Sequence, residues 1–395
     1  MVSFDRLLFA GVGSLFASHF LAYGLYLPFL PLVLESRGIS SEEIGFILGL
    51  SLVARILAGP IMTNLSDRGG RRRRSIFFYS VLASLVPVNL FYLQGYWAAA
   101  VCVIVLTILW APIVPLCDAY AIDAVKKANA NYGRMRLWGS LAFVAANIGG
   151  GVLVAEGNPD RILLWIAFVT LLTGLVALGL PSMAGARSPS GEEENSGEKA
   201  SVFRQRWFWG FICVAGLLQG VHAAFYGFSS LYWSASGISS QSIGILWSIG
   251  VVAEVVLFLF AKQLDANIRP LTYLVLAAGA GVVRWSLFPY AEGFAAIAAL
   301  QVLHGLTFGA AHLGCILILG RIVPSKWAAT GQGMMGTSAG LLTAIGMTVS
   351  GPLYALSPSY AFWLMAAGSV AALVSLLIMR PLLQQRINES PQTGT

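Results

Sequence analysis

The chain has 395 residues, of which 57% are hydrophobic and only 10% charged, and its mean hydropathy is +0.77. Soluble domains carry about 25% charged residues, so a water-soluble fold of this size is excluded. The net charge of +7 does not point to nucleic acid either, because the basic residues gather in short loops between apolar runs instead of forming a stripe on a polar face.

A spanning helix needs about 20 mostly apolar residues to cross hydrocarbon roughly 30 Å thick. Twelve runs meet this, at 7–31, 44–64, 75–94, 97–118, 136–155, 162–181, 207–231, 243–262, 271–290, 294–319, 328–353 and 360–380. The first is too long for a signal-peptide core of about 7 to 15 residues and is expected to remain as a spanning helix. Between 207 and 253 there is no Asp, Glu, Lys or Arg, which is too long for one helix, so the small and polar stretch 234–242 is predicted to turn the chain. Lys and Arg in the loops set the orientation. The second loop carries Arg68, Arg71, Arg72, Arg73 and Arg74, the fourth Lys126, Lys127 and Arg134, and the tenth Arg321 and Lys326, against only Arg37 and Arg161 in the alternate loops. Even-numbered loops and both termini are therefore expected in the cytoplasm.

Four domains or segments follow. A six-helix bundle at 1–181 is joined by a cytoplasmic linker at 182–206, rich in Ser, Gly and Glu, to a second six-helix bundle at 207–383. Residues 384–395 are expected to be a disordered tail, since neither they nor the linker can order themselves by burial. Cys102, Cys117, Cys213 and Cys315 stand singly in apolar runs without CxxC spacing, so they read as packing residues, with no disulfide framework and no metal site expected.

The halves repeat. His19-x-x-x-Tyr23-Gly24, Gly38-Ile39-Ser40-Ser41-x-x-Ile44-Gly45 and Val53-Ala54-Arg55 return as His222-x-x-x-Tyr226-Gly227, Gly237-Ile238-Ser239-Ser240-x-x-Ile243-Gly244 and Val252-Ala253-Glu254. From Gly38 onward the offset is a constant 199 residues. This ordered set predicts two parallel six-helix halves related by an axis along the membrane normal, with a substrate site between them near the midplane.

Leu65-Ser66-Asp67-Arg68-Gly69-Gly70-Arg71-Arg72 is similar to the loop that major facilitator transporters carry between helices 2 and 3, with Thr63 where that motif usually has glycine. Pro112-Ile113-Val114-Pro115-Leu116-x-Asp118-Ala119 and Tyr132-Gly133-x-x-Arg136-x-Trp138-Gly139-Ser140 resemble the 3-phenylpropionic acid permease branch, near the nucleoside and lactose proton symporters. Gly281-Val282-Val283-Arg284-Trp285 and Gln301-Val302-Leu303-His304 extend the likeness. The resemblance implies an all-α membrane protein with twelve transmembrane helices in two pseudo-symmetric six-helix bundles. It also implies a cavity lined by helices 1, 4, 7 and 10, and a latch role for Asp67 and Arg68.

Ionisable groups inside a membrane are costly and by default face a cavity or a partner. The resemblance selects His19, Asp118, His222, His304 and His312 on cavity helices; His19 with Tyr23 and His222 with Tyr226 lie four apart, on one helix face. These seven are the candidates for substrate or proton binding, because an imidazole titrates near neutral pH. The alternative for each histidine is a hydrogen bond to a neighbouring helix. His304 and His312, eight apart, are expected about 80° apart around a regular helix, which argues against a shared metal. Arg55 and Glu254, at equivalent repeat positions, are expected with Arg136 to serve gating; Asp118 and Arg136 form either an ion pair or a coupling element. Arg284 is expected to take a structural ion pair or to snorkel.

The reading is a secondary active transporter, with proton-coupled uptake of an aromatic carboxylate such as 3-phenylpropionate at a bacterial-type inner membrane. It is expected to be a monomer in lipid, driven by the proton gradient, with no cofactor and no nucleic-acid partner. A nucleoside or sugar proton symporter and a drug efflux transporter are the alternatives in the same class. A non-transporting receptor or a membrane enzyme comes last, as no HExxH, GxSxG or Gly-rich phosphate loop occurs.

Overall fold

The computed structural model describes residues 2–68, 71–128, 131–155, 157–181, 202–265 and 268–389; side chains are described for these except at 2–5, 68, 126–128, 262 and 265. Among them every regular element is helical, and twelve are long and apolar enough to cross a membrane. They are α1 Arg6–Ser36, α2 Ser41–Asp67, α3 Arg72–Tyr92, α4 Tyr96–Val125, α5 Tyr132–Ala155, α6 Arg161–Gly179, α7 Arg206–Ala235, α8 Ser240–Leu259, α9 Pro270–Tyr290, α10 Gly293–Ile322, α11 Ser325–Leu356 and α12 Pro358–Glu389. Large apolar side chains such as Leu57, Phe78, Trp97 and Ile378 are mostly exposed, as a surface bathed in lipid requires.

The repeated motif has a structural cause. Gly38 and Gly237 both take positive φ, +76° and +80°, closing α1 and α7 with the same turn, in which Ile39 N donates to Leu34 O and Ile238 N to Trp233 O. The serines then cap the next helix. Ser40 Oγ accepts from Glu43 N while Ser40 N donates to Glu43 Oε2, a reciprocal capping box, and Ser239 Oγ accepts from Ser242 N at the equivalent place. One short string thus encodes a stop, a turn and a start.

Two compact units divide the chain, one comprising 1–190 with 226–248, the other 191–225 with 249–395. In the first, α1 packs along α5, α3 along α6 and α2 along α4; in the second, the first part of α7 packs along α11, and α9 along α12. The pairings 1 with 5 and 3 with 6 thus recur as 7 with 11 and 9 with 12, and the repeat is tertiary as well as linear. Several ends differ from expectation. The last helix runs to Glu389, into the segment read as a tail, because 381–389 continue the helix on the buried Leu383. Residues 202–204 form a short 3₁₀ turn where linker was expected; the rest of the linker, 182–201, and 390–395 lie outside the described residues.

Three spans are interrupted. α4 breaks at Ala111 and Pro112, α7 at Val221 and His222, and α10 at Leu303 and His304, followed by a π-helical turn over Gly305–Ala310. Irregular backbone at membrane depth is tolerated where protein or water can satisfy it, and π turns recur at functional sites. The breaks fall on three of the four helices expected to line a cavity.

Candidate functional site

Arg284, on α9, has no exposed surface. A guanidinium out of water costs several kcal/mol unless its donors are met, and its hydrogen bonds show how they are met. Nη1 donates to Thr307 Oγ1 at 2.9 Å and to His304 Nδ1 at 3.0 Å, and Nη2 donates to Gln301 Oε1 at 2.9 Å. All three partners lie on α10 where its helix breaks and widens. The cation also rests over Trp285 and Phe225, 4.4 and 4.9 Å from the ring centres, a favourable arrangement in a dry site. Arg284 therefore does not snorkel.

The interruption in α7 adds His222 to the cluster. Its Nε2 lies 3.0 Å from Thr307 Oγ1 and its Nδ1 3.1 Å from Gln219 O. Donor inventory then assigns the protons. Arginine only donates, so the Thr307 oxygen accepts from Arg284; the Gln219 carbonyl only accepts, so His222 carries a proton on Nδ1, and a neutral His222 then takes the Thr307 hydroxyl hydrogen at Nε2. His304 Nδ1 must likewise accept from Arg284, which puts the His304 proton on Nε2. That nitrogen faces Glu254 Oε2 at 4.0 Å. Glu254 is brought there by close backbone approach, since a Cβ at Gly305 would come within 2.8 Å of Ala253 O. In one unit the chain therefore runs Glu254, His304, Arg284, Thr307, His222, with the His304 tautomer fixed by the arginine that donates to it.

Aromatic rings enclose this chain. His304 stacks on Phe308 (5.3 Å, 9°) and Phe308 on His312 (6.4 Å, 7°). The two histidines therefore share one face, not the 80° separation expected of a regular helix, because the π turn adds backbone between them without adding rotation. Among the described residues no group of three His, Cys, Asp or Glu could hold a metal.

The other unit holds the remaining candidates. His19 is buried, edge-on to Phe20 and Trp110. Tyr23 and Tyr26 stack at 6.0 Å, and both rings lie against Trp110, whose buried Nε1 meets no acceptor among the described residues. Arg55 and Arg136, both half-buried, are the cations near enough to act on the His19 ring. Arg136 sits 4.0 Å over the Phe20 ring and makes no ion pair with Asp118 among the described residues; Asp118 instead accepts from Tyr132 Oη at 2.9 Å. A hydroxyl at the start of α5 reaches the carboxylate, while the longer arginine turns to the aromatic surface of α1. Tyr226 stacks on Trp247 at 6.2 Å.

At the loop between α2 and α3, Arg72 bridges Asp67 Oδ1 (2.8 Å) and Asp123 Oδ2 (2.6 Å). This ties the loop to the end of α4; the Arg68 side chain lies outside the described residues. Sequence reasoning overlooked Gln301 and Thr307 as site residues, and Asp123 as the second acid. Their neighbours Arg284 and His304 were the available signals, since a buried cation inside a span demands partners.

Twelve spans, a two-fold repeat and a buried polar cluster at helix breaks define a secondary transporter of the major facilitator class. Residues 14–365 match the MFS_1 like family, to which the chain belongs. It is 33% identical over 368 residues, 90% of this chain and 94% of the relative, to a protein of Escherichia coli (strain K12) named "Probable 3-phenylpropionic acid transporter". It is 24% identical to the maltose permease of Geobacillus stearothermophilus over 83% of this chain and 81% of that one. Among solved structures, the nucleoside transporter NupG aligns with a TM-score of 0.82 at 15% identity, covering 94% of this chain and 99% of that one. A bacterial homolog of the human lysosomal transporter Spinster, inward-facing and unoccupied, aligns with a TM-score of 0.72 at 14% identity, over 98% and 97%. The protein is a multi-pass bacterial membrane transporter with a small-molecule substrate, and its relatives are transporters, not enzymes.

Proposed function

We propose that the transporter couples proton entry to uptake of an aromatic carboxylate, with 3-phenylpropionate as the first compound to test. The observation that carries this is the placement of His304 between a fully buried arginine and a carboxylate. A proton taken up by Glu254 neutralises the carboxylate that the His304 Nε2–H faces, and so loosens the tautomer that leaves Nδ1 free to accept from Arg284 Nη1. Glu254, the more exposed member with 24% of its side chain accessible, is the group through which the proton would enter. Its role is then proton binding beside His304, where the sequence had suggested only gating.

The aromatic cluster of the other unit supports the substrate class. Tyr23, Tyr26 and Trp110 offer ring surface for an aryl group. The indole N–H of Trp110 and the half-buried Arg55 and Arg136 offer donors and charge for a carboxylate. The relative named for 3-phenylpropionic acid adds support. The basic loops favour cytoplasmic termini, and the working unit is proposed to be the monomer.

The test is accumulation of labelled 3-phenylpropionate in right-side-out membrane vesicles containing the protein, with an imposed gradient acid outside. Saturable accumulation that collapses on adding a protonophore is expected. Gradient-driven uptake of uridine or maltose in place of the aromatic acid would overturn the substrate assignment. Outward extrusion of the solute would overturn the direction and favour efflux.

A further inference from the structure

We propose that a second site, remote from the transport cluster, binds a phosphate-bearing anion, and that its position favours the headgroup of an acidic phospholipid. A cavity of about 270 Å³ opens where the turn before α9, the end of α10 and the last turns of α12 meet, lined by Arg269, Leu271, Arg321, Gln384, Ile387 and Asn388. Arg321 lies 17 residues beyond His304 on α10, about 25 Å along a helix. The cavity therefore plays no part in the network around Arg284.

Its chemistry is that of an anion receptor. Arg269 and Arg321 are exposed and neither makes an ion pair or a side-chain hydrogen bond among the described residues. The acid nearest in sequence on α12, Glu389, is already engaged by Arg386 Nη1 at 3.0 Å and by Gln385 Nε2 at 2.6 Å. Two guanidinium forks match phosphate oxygens in pairs, and the carboxamides of Gln384 and Asn388 supply further N–H donors. The positive end of α9, which begins at Pro270, adds to the same field. Leu271 and Ile387 give the cavity an apolar part. All three lining elements end on the side of the membrane that carries the basic loops, where acidic lipids draw basic pockets to their headgroups.

The experiment is thermal unfolding of the full-length protein, purified in neutral detergent and followed by tryptophan fluorescence. It is titrated separately with phosphatidylglycerol, phosphatidylcholine and inorganic phosphate. Wild type should be protected by phosphatidylglycerol and not by phosphatidylcholine. The half-saturating phosphatidylglycerol concentration should rise about tenfold or more in R269Q/R321Q, as expected for two basic groups near an anionic surface; R269K/R321K should retain most of the protection. Protection by inorganic phosphate alone, lost in R269Q/R321Q, would uphold the anion site and overturn the lipid source. Equal protection of wild type and R269Q/R321Q by phosphatidylglycerol overturns the site. If the double variant does not yield folded protein, R269Q and R321Q singly give the same reading at smaller amplitude.

Discussion

Thr307 joins the two halves of the buried polar chain, and replacing it with valine removes the hydroxyl while keeping the shape. Both Nη1 hydrogens of Arg284 are in use, one on Thr307 Oγ1 and one on His304 Nδ1, so Thr307→Val leaves one guanidinium hydrogen empty and takes the donor from His222 Nε2. Thr307 is itself only 2% exposed, which leaves water little room to replace the lost oxygen. Hydrogen bonds between membrane helices average about 0.6 kcal/mol and reach about 1.7, whereas a donor left unmet on a buried charged group costs about 1 to 3 kcal/mol or more. For one bond of each kind the variant should lose roughly 2 to 5 kcal/mol. The assay pairs the thermal unfolding midpoint of purified protein with initial rates of gradient-driven uptake. Thr307→Val should lower both, and Thr307→Ser, which keeps the hydroxyl, should restore uptake. An unfolding midpoint and uptake rate equal to wild type in Thr307→Val would refute the hydrogen-bond chain described for this cluster.

Three further outcomes are expected. Glu254→Gln should abolish accumulation against a gradient while leaving exchange of substrate across vesicles intact; unchanged accumulation at acidic and neutral pH would remove Glu254 from proton coupling. Arg37, whose side chain is 4% exposed, donates to Asp160 Oδ1 at 2.8 Å and to the carbonyls of Leu90 and Leu93 at 2.5 and 3.0 Å. Arg37→Ala therefore strands a carboxylate and the C-terminal carbonyls of α3, at a cost of about 2 to 4 kcal/mol, and a wild-type midpoint of unfolding would count against this clamp. Cysteines placed at Gly95 and Ser357 should react with an impermeant maleimide added to intact cells; reaction only after permeabilisation would reverse the proposed orientation.

Much of the architecture was legible in the chain because hydrocarbon thickness imposes a length on every span and offers backbone groups no water. The G-I-S-S string was legible as a repeat for a local reason: positive φ at Gly38 and Gly237 and capping by Ser40 and Ser239 are decided within a few residues. The polar site was legible only in part. His19, His222 and His304 announced themselves by the cost of an ionisable group in a span, and so did Arg284, but nothing in its sequence neighbourhood says that its acceptors are Thr307 and Gln301, 23 and 17 residues away. Which neutral group meets a buried cation depends on how α7, α9 and α10 lie against one another, and that is a property of packing. The same holds for His304 and His312. Sequence spacing assumes a constant rotation per residue, and the π turn at Gly305–Ala310, which only the folded helix displays, resets the phase and stacks both rings on Phe308. The residues alone thus determined the spans, the turn-and-cap repeat and the two-fold plan, through local backbone rules and solvent. Tertiary structure decided the partners of the buried charges, because hydrogen bonds across helices form only once three helices have fixed their relative depth and rotation.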